Sequence, residues 1–309
     1  MQSYGLMLHH FTDARHVRGQ GAISADELSR IIEFMGPENF LSPDEWVDRA
    51  LAGGLEPHHR CITLDDALRC QYDVALPVFR RYGLTGFWFV YSSVFEGSRE
   101  RLEMFRHYRT TRFADISEFY AAFFDMVRRS DIGPEFERQN KAFQPANYLS
   151  NYAFYTDDDR RFRFARDVVL GPERYFAIVD AMMGGDPAFD ADAAAALLWM
   201  KDEHLRELDA EGHAIGLHSY SHPTALANLS MADQRKQYEE NSRHLSGVLG
   251  APPLTMSHPV CSYNADTLSV LRDMGVKIGF RDNLNAPPNA SLLEMPRDDH
   301  SHIMKQMAA

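Results

Sequence analysis

Residues Cys61-Ile62-Thr63-Leu64-Asp65-Asp66-Ala67 open with a short apolar run and stop at two adjacent carboxylates. An apolar run this short, halted by charge, reads as a buried strand ending at a loop. The next segment carries Tyr72, Ala75, Leu76, Phe79 and Tyr82 at helical spacing, and Gly83 closes it. Pro77 falls inside that span and predicts a kink or a late helix start. Gly86 to Tyr91 (GFWFVY) is then a second buried strand. Strand, helix and strand in this succession point to parallel βαβ units and an α/β fold.

The pattern extends to both sides. Gly5 to His9 reads as a first strand. Ser24 and Glu27 make a capping-box pair for a helix whose Leu28, Ile31, Ile32 and Met35 share one face and which Gly36 ends. A second helix starts at Ser42-Pro43 and ends at Gly53-Gly54. Beyond the insertion described below, Asp192 to Asp209 reads as helix, Ala214 to Leu217 as strand and Met231 to Leu249 as helix. Leu254 to Met256 is a strand, Ala265 to Met274 a helix, and Val276 to Phe280 and Leu292 to Met295 are the last two strands. The whole chain, 1–309, is expected to be one domain, interrupted by a helical insertion at about 92–190. The insertion is dense in aromatics such as Phe119, Tyr120, Phe123 and Phe124, which at helical periodicity are expected to pack a core of their own.

Composition narrows the partners. With 45% hydrophobic and 25% charged residues the chain can bury a sizeable core. A formal charge of -12 argues against nucleic acid, which needs clustered cations. Cys61, Cys70 and Cys261 are too few, and odd in number, for a disulfide framework. The N-terminus shows no basic start with an apolar run of signal length, and no window is long and apolar enough for a transmembrane segment. A cytoplasmic protein is expected. The insertion would suit a homodimer interface. Its arginines, Arg106, Arg109, Arg112, Arg160, Arg161 and Arg163, are read as surface charge balanced by Asp157 to Asp159 rather than as a phosphate site.

Three chemistry-bearing groups follow predicted strands: Asp65-Asp66, His218-Ser219-Tyr220-Ser221-His222, and Ser257-His258-Pro259. Loops at the carboxyl ends of parallel strands converge on one face. One carboxylate and two imidazoles suit a divalent cation and leave open positions for water and a substrate oxygen. The second carboxylate is then available as a base. Each group alone is cheap, as the pairs His9-His10 and His58-His59 show, and those two pairs receive no site role. The signal is the joint placement at strand ends.

At these residues the chain resembles the polysaccharide deacetylases, the NodB-homology group of carbohydrate esterases. Thr63 to Ala67 resembles the TFDDG motif, His218 to His222 the HSxxH motif, and Met256 to Pro259 with Ser262-Tyr263-Asn264 the third motif. The resemblance covers roughly 60–91 and 210–302. It implies a distorted (β/α) barrel and metal-dependent removal of an acetyl group, N-acetyl ahead of O-acetyl, from a sugar or a nucleotide- or lipid-linked sugar. By position, Asp65 is the base, while Asp66, His218 and His222 hold one divalent ion, zinc by default. His258 and Pro259 fall at substrate-binding positions. Ala67 departs from the motif glycine. The late motif is less regular: His300 or His302 is expected to supply the acid, with His300 the first choice, and Arg297 to pair with Asp65. A sugar-binding module without turnover, and a hydrolase of non-sugar amides or cyclic imides, are the competing readings.

Overall fold

The computed structural model describes residues 2–149, 156–284 and 291–308. The described chain forms two compact units, one from Met1–Glu100 with Leu197–Ala309 and one from Arg101–Ala196.

The first unit holds seven strands: β1 (Tyr4–Leu8), β2 (Arg60–Asp65), β3 (Gly86–Val90), β4 (Ala214–Leu217), β5 (Thr255–Ser257), β6 (Ile278–Phe280) and β7 (Arg297–Asp299). They form one sheet in the order β6-β5-β4-β3-β2-β1-β7. Each neighbouring pair runs parallel. Parallel strands covered on both sides should be apolar throughout, and β3 is buried along its whole length.

The sheet curls into a nearly closed barrel, as expected. Phe280 of β6 packs on Phe87 and Phe89 of β3 at ring distances of 5.3 and 5.5 Å, although two strands lie between them in the sheet. Met295 ties the free edge of β6 through Met295 N–H to the Gly279 carbonyl (2.8 Å) and Arg281 N–H to the Met295 carbonyl (3.0 Å). Two residues later β7 pairs with β1, Gly5 opposite Arg297. Close approach explains two glycines here. A Cβ on Gly216 would stand 2.5 Å from the Phe89 ring, and one on Gly279 would stand 2.5 Å from the Leu293 carbonyl oxygen.

Local signals were largely obeyed. Both expected capping boxes, Ser24 with Glu27 and Ser42 with Glu45, are formed. The segment containing Pro77 begins as a wide turn over Gln71–Ala75 and becomes an α-helix only at Leu76–Tyr82, where proline occupies the first turn. Two expectations need correction. The stretch read as one helix from Asp192 to Asp209 is two, Ala191–Leu198 and Asp202–Ala210. Trp199 pairs with Leu68 in an antiparallel bridge, and Met200 N–H bonds to the Ala67 carbonyl, so tertiary contacts override helix propensity. Leu292 to Met295, read as a strand, contains the 3-10 turn Leu292–Glu294; the last strand is the polar Arg297–Asp299.

The second unit is helical, and its aromatics do make their own core, including Phe105, Phe119, Phe123, Phe136, Phe162 and Tyr175. Among its arginines, Arg112 pairs with Asp186 at 2.8 Å and Arg160 lies 3.7 Å from Asp157. No helix among the described residues is long and apolar enough to cross a membrane.

One buried histidine makes the barrel sensitive to pH. Nδ1 of His213 accepts from Gly86 N–H (3.0 Å) and from the Trp88 indole N–H (3.1 Å), which requires that nitrogen to be unprotonated. Burial pushes the His213 pKa from 6.5 down to about 4. A neutral buried histidine contributes fully above its unfolded pKa, and that contribution disappears as pH falls from 6.5 toward 4. The shift corresponds to about 3 kcal/mol. Urea midpoints should therefore drop across this window, and His213→Gln, which cannot titrate, should flatten the drop.

Candidate metal centre

The parallel register carries the functional groups to one end of the barrel. Asp65 is the last residue of β2, His218 follows β4, Ser257 ends β5, and His9 follows β1. Asp65 continues the pleat, whereas Asp66 turns away with φ 82° and Ala67 follows with φ 57°. The two neighbouring carboxylates therefore point in different directions.

Asp66 Oδ1 stands 3.4 Å from Nε2 of His218 and 3.4 Å from Nε2 of His222. It is buried and accepts no hydrogen bond. Three ligand atoms about 2.0–2.1 Å from one ion at tetrahedral angles stand about 3.3–3.4 Å apart. The two edges that meet at Asp66 therefore have the length expected between ligands of one cation, and all three atoms lie within 4.8 Å of one another. His218 is oriented for this, because its Nδ1–H donates to the Ser257 carbonyl at 2.9 Å and so leaves Nε2 to face Asp66. Its backbone N–H donates to Asn241 Oδ1 (2.9 Å), and Asn241 in turn donates to the Val90 carbonyl (3.0 Å). The His222 loop is bent, with φ 63° at Ser219 and 52° at His222. Gln237 steadies it by accepting from Tyr220 N–H (3.2 Å) and Ser221 N–H (2.9 Å).

Asp65 lies beside this triangle and is almost wholly buried. Arg297 donates to its Oδ1 at 2.8 Å and the Ser257 hydroxyl to its Oδ2 at 3.2 Å. Burial works to raise the Asp65 pKa, but Arg297, His218 and His9 outweigh it and hold the carboxyl below its ordinary value. Burial likewise opposes ionisation of Asp66, and His218, His222 and His9 hold it far below the carboxylate range. His218 is depressed by burial but raised overall by Asp65 and Asp66.

The structure brings together Asp65, Asp66, His218, His222 and Arg297. Other expected site residues are placed elsewhere. His300 bonds through Nε2 to the Gly21 carbonyl (3.1 Å), and His302 is exposed and bonded to Asp298 Oδ1 (2.8 Å). Both residues lie on the helix His300–Met307, with their hydrogen bonds directed to Gly21 and Asp298. His258 is buried, donates from Nε2 to the Leu293 carbonyl (2.8 Å) and stacks on Tyr263, with burial holding its pKa at about 4. Its ring is packed and closed off from solvent. Pro259 is buried and opens a 3-10 turn.

The residue that the sequence reading missed is His9. Its Nε2 lies 3.6 Å from Asp65 Oδ2, and its side chain keeps 27% exposure. The rule that found Asp65 and His218, a polar residue directly after a strand, applies equally to His9. A second cluster, Glu56 with His58 and His59, is a poor cation site. Nδ1 of His59 already accepts from Glu56 N–H, and Arg49 lies against its Nε2.

Comparison with known proteins bears on the fold and on one segment of the sequence. The polysaccharide deacetylase family model matches residues 187–279, a segment that contains His218 and His222. A chitin deacetylase from Pestalotiopsis sp is 37% identical over 95 residues, 31% of this chain and 29% of that protein. The aligned part thus spans less than a third of this relative. Among solved structures, the deacetylase PplD of Streptococcus pyogenes, in complex with acetate, superposes with a TM-score of 0.56 at 15% identity, over 99% of this chain and 98% of that one. IcaB from Ammonifex degensii gives 0.55 at 14% identity, over 96% and 91%. The BpsB deacetylase domain from Bordetella bronchiseptica gives 0.54 at 14%, over 96% and 95%. The fold is that of the polysaccharide deacetylase barrel, and the resemblance read from the motifs is matched in sequence at 187–279.

The Asp65–Arg297 pair can be tested directly. Arg297→Met leaves a buried carboxylate without its cation and should cost about 3–5 kcal/mol at pH 7. The loss should shrink at pH 4, where Asp65 can take up a proton. Urea unfolding at the two pH values measures both.

Proposed function

We propose that this chain is a metal-dependent deacetylase that hydrolyses the acetamide of an N-acetylated sugar, whether free, polymeric, or carried on a nucleotide or lipid. The observation that carries the reading is the Asp66, His218 and His222 triangle with an ionised Asp65 beside it. Its ligand set is one carboxylate and two imidazoles, and zinc is the first candidate among divalent ions.

A divalent cation held there would activate a water and polarise the acyl carbonyl. Asp65, fixed by Arg297 and Ser257, takes the proton from the attacking water. Its neighbour Asp66 cannot do this while it faces the cation. Burial lowers the pKa of His9, which stands beside Asp65, so the imidazole takes up the proton that Asp65 removed from the water, across their 3.6 Å separation, and hands it to the departing sugar amine. The water oxygen ends in acetate, the C–N bond breaks, and Asp65 and His9 return to their starting states.

The reading predicts separable losses. His218→Ala should lose bound metal in elemental analysis. Asp65→Asn should keep the metal and lose acetate release from N-acetylglucosamine oligomers. His9→Gln should keep the metal and lower kcat by about 10²–10⁴. Full activity in Asp65→Asn, or a wild type that holds no metal after incubation with zinc or cobalt, would overturn it.

A further inference from the structure

His218 and His222 are held in unlike ways. A backbone carbonyl fixes the His218 ring through Nδ1. The His222 ring is flanked by two other rings, His218 at 5.0 Å between centroids and Tyr91 at 5.2 Å. Tyr91 follows β3 and has no exposed surface. Its phenol oxygen accepts a hydrogen bond from the Trp199 indole N–H at 2.7 Å. Trp199 is itself buried, in the break between two helices, where it bridges Leu68 while Met200 N–H holds the Ala67 carbonyl at 2.9 Å.

We propose that Trp199 and Tyr91 are positioning residues that lock the His222 ring against Asp66, so that one two-residue segment sets the ligands of both loops. This rests on the cation reading above. Residues Trp199-Met200 grip the backbone immediately after Asp66, and the same indole fixes the phenol against which His222 leans. Helix propensity alone would have carried the chain straight through this segment. The break places the indole where it reaches Tyr91. A misplaced ligand ring weakens metal binding even when every ligand is present, and loss of such an orienting contact typically costs about 10–100-fold in affinity.

The test uses the metal-free full chain, titrated with Co²⁺ and followed by visible absorption, with Zn²⁺ competition for affinity and urea unfolding of the metal-free protein in parallel. Tyr91→Phe keeps the ring and loses the acceptor; Trp199→Phe loses the donor. Each should weaken binding by about tenfold or more and alter the cobalt band, and the double variant should be little worse than either single, because both remove one hydrogen bond. Binding within twofold of wild type, with an unchanged band, would overturn the proposal, even if stability fell. Should Trp199→Phe fail to fold, Tyr91→Phe alone decides by the same criteria. His218→Ala separates the two levels. If it too binds cobalt like wild type, the cation reading itself fails. If it loses the metal while the Tyr91 and Trp199 variants do not, only this inference fails.

Discussion

The barrel depends on a buried ion pair. Asp65 is removed from water at the end of β2, and an unpaired carboxylate there would cost several kcal/mol. Arg297, 1% exposed, meets it at 2.8 Å. The same guanidinium donates from Nε to the Arg281 carbonyl just after β6. One side chain therefore joins the last strand to the second and to the sixth, across the seam where the sheet would otherwise stay open. Gly5 leaves room for it: a Cβ there would stand 3.3 Å from Arg297 Cγ and 3.0 Å from Thr63 Cγ2. Closure of the fold and ionisation of Asp65 are thus one constraint.

Much of this was legible in the residues, for physical reasons. Fully buried parallel strands leave short apolar runs, and charges that stop such runs mark the carboxyl end of a barrel; Asp65, Asp66 and His218 were found that way. Arg297 was legible as the partner of Asp65 because a buried carboxylate demands a cation. The strand that carries Arg297 was not. Its sequence is Arg-Asp-Asp, with Asp298 bonded to His302, so polar pairing replaces the hydrophobic signal that strand reading depends on. The apolar run before it became a turn. His300 was legible only as a residue after a strand; that position does not say which way a ring faces once a helix begins, and here the ring bonds to the Gly21 carbonyl.

His9 was hidden by its neighbour. Two adjacent histidines look accidental, and only the parallel pairing of β1 with β2, Leu8 opposite Leu64, sets His9 beside Asp65. Trp199 was hidden differently. The sequence around it favours helix, and only contacts with Ala67, Leu68 and Tyr91, more than a hundred residues away in the chain, pull it out of one.

The backbone at the site carries strain that bears on how the ligands work. Asp66, Ala67, Ser219 and His222 all have positive φ, which costs a non-glycine residue on the order of 1–2 kcal/mol each. Such conformations persist where surrounding contacts over-determine them. Here the contacts are identifiable: Asp66 N–H to the Phe89 carbonyl, Met200 N–H to the Ala67 carbonyl, His222 N–H to the Ser219 hydroxyl, and Gln237 under Tyr220 and Ser221. The chain bends Asp66 and His222 toward each other through its own hydrogen bonds, so their approach is fixed by folding. Under the proposed reading, a site arranged in advance would leave the open positions of an ion to a water and an acyl oxygen.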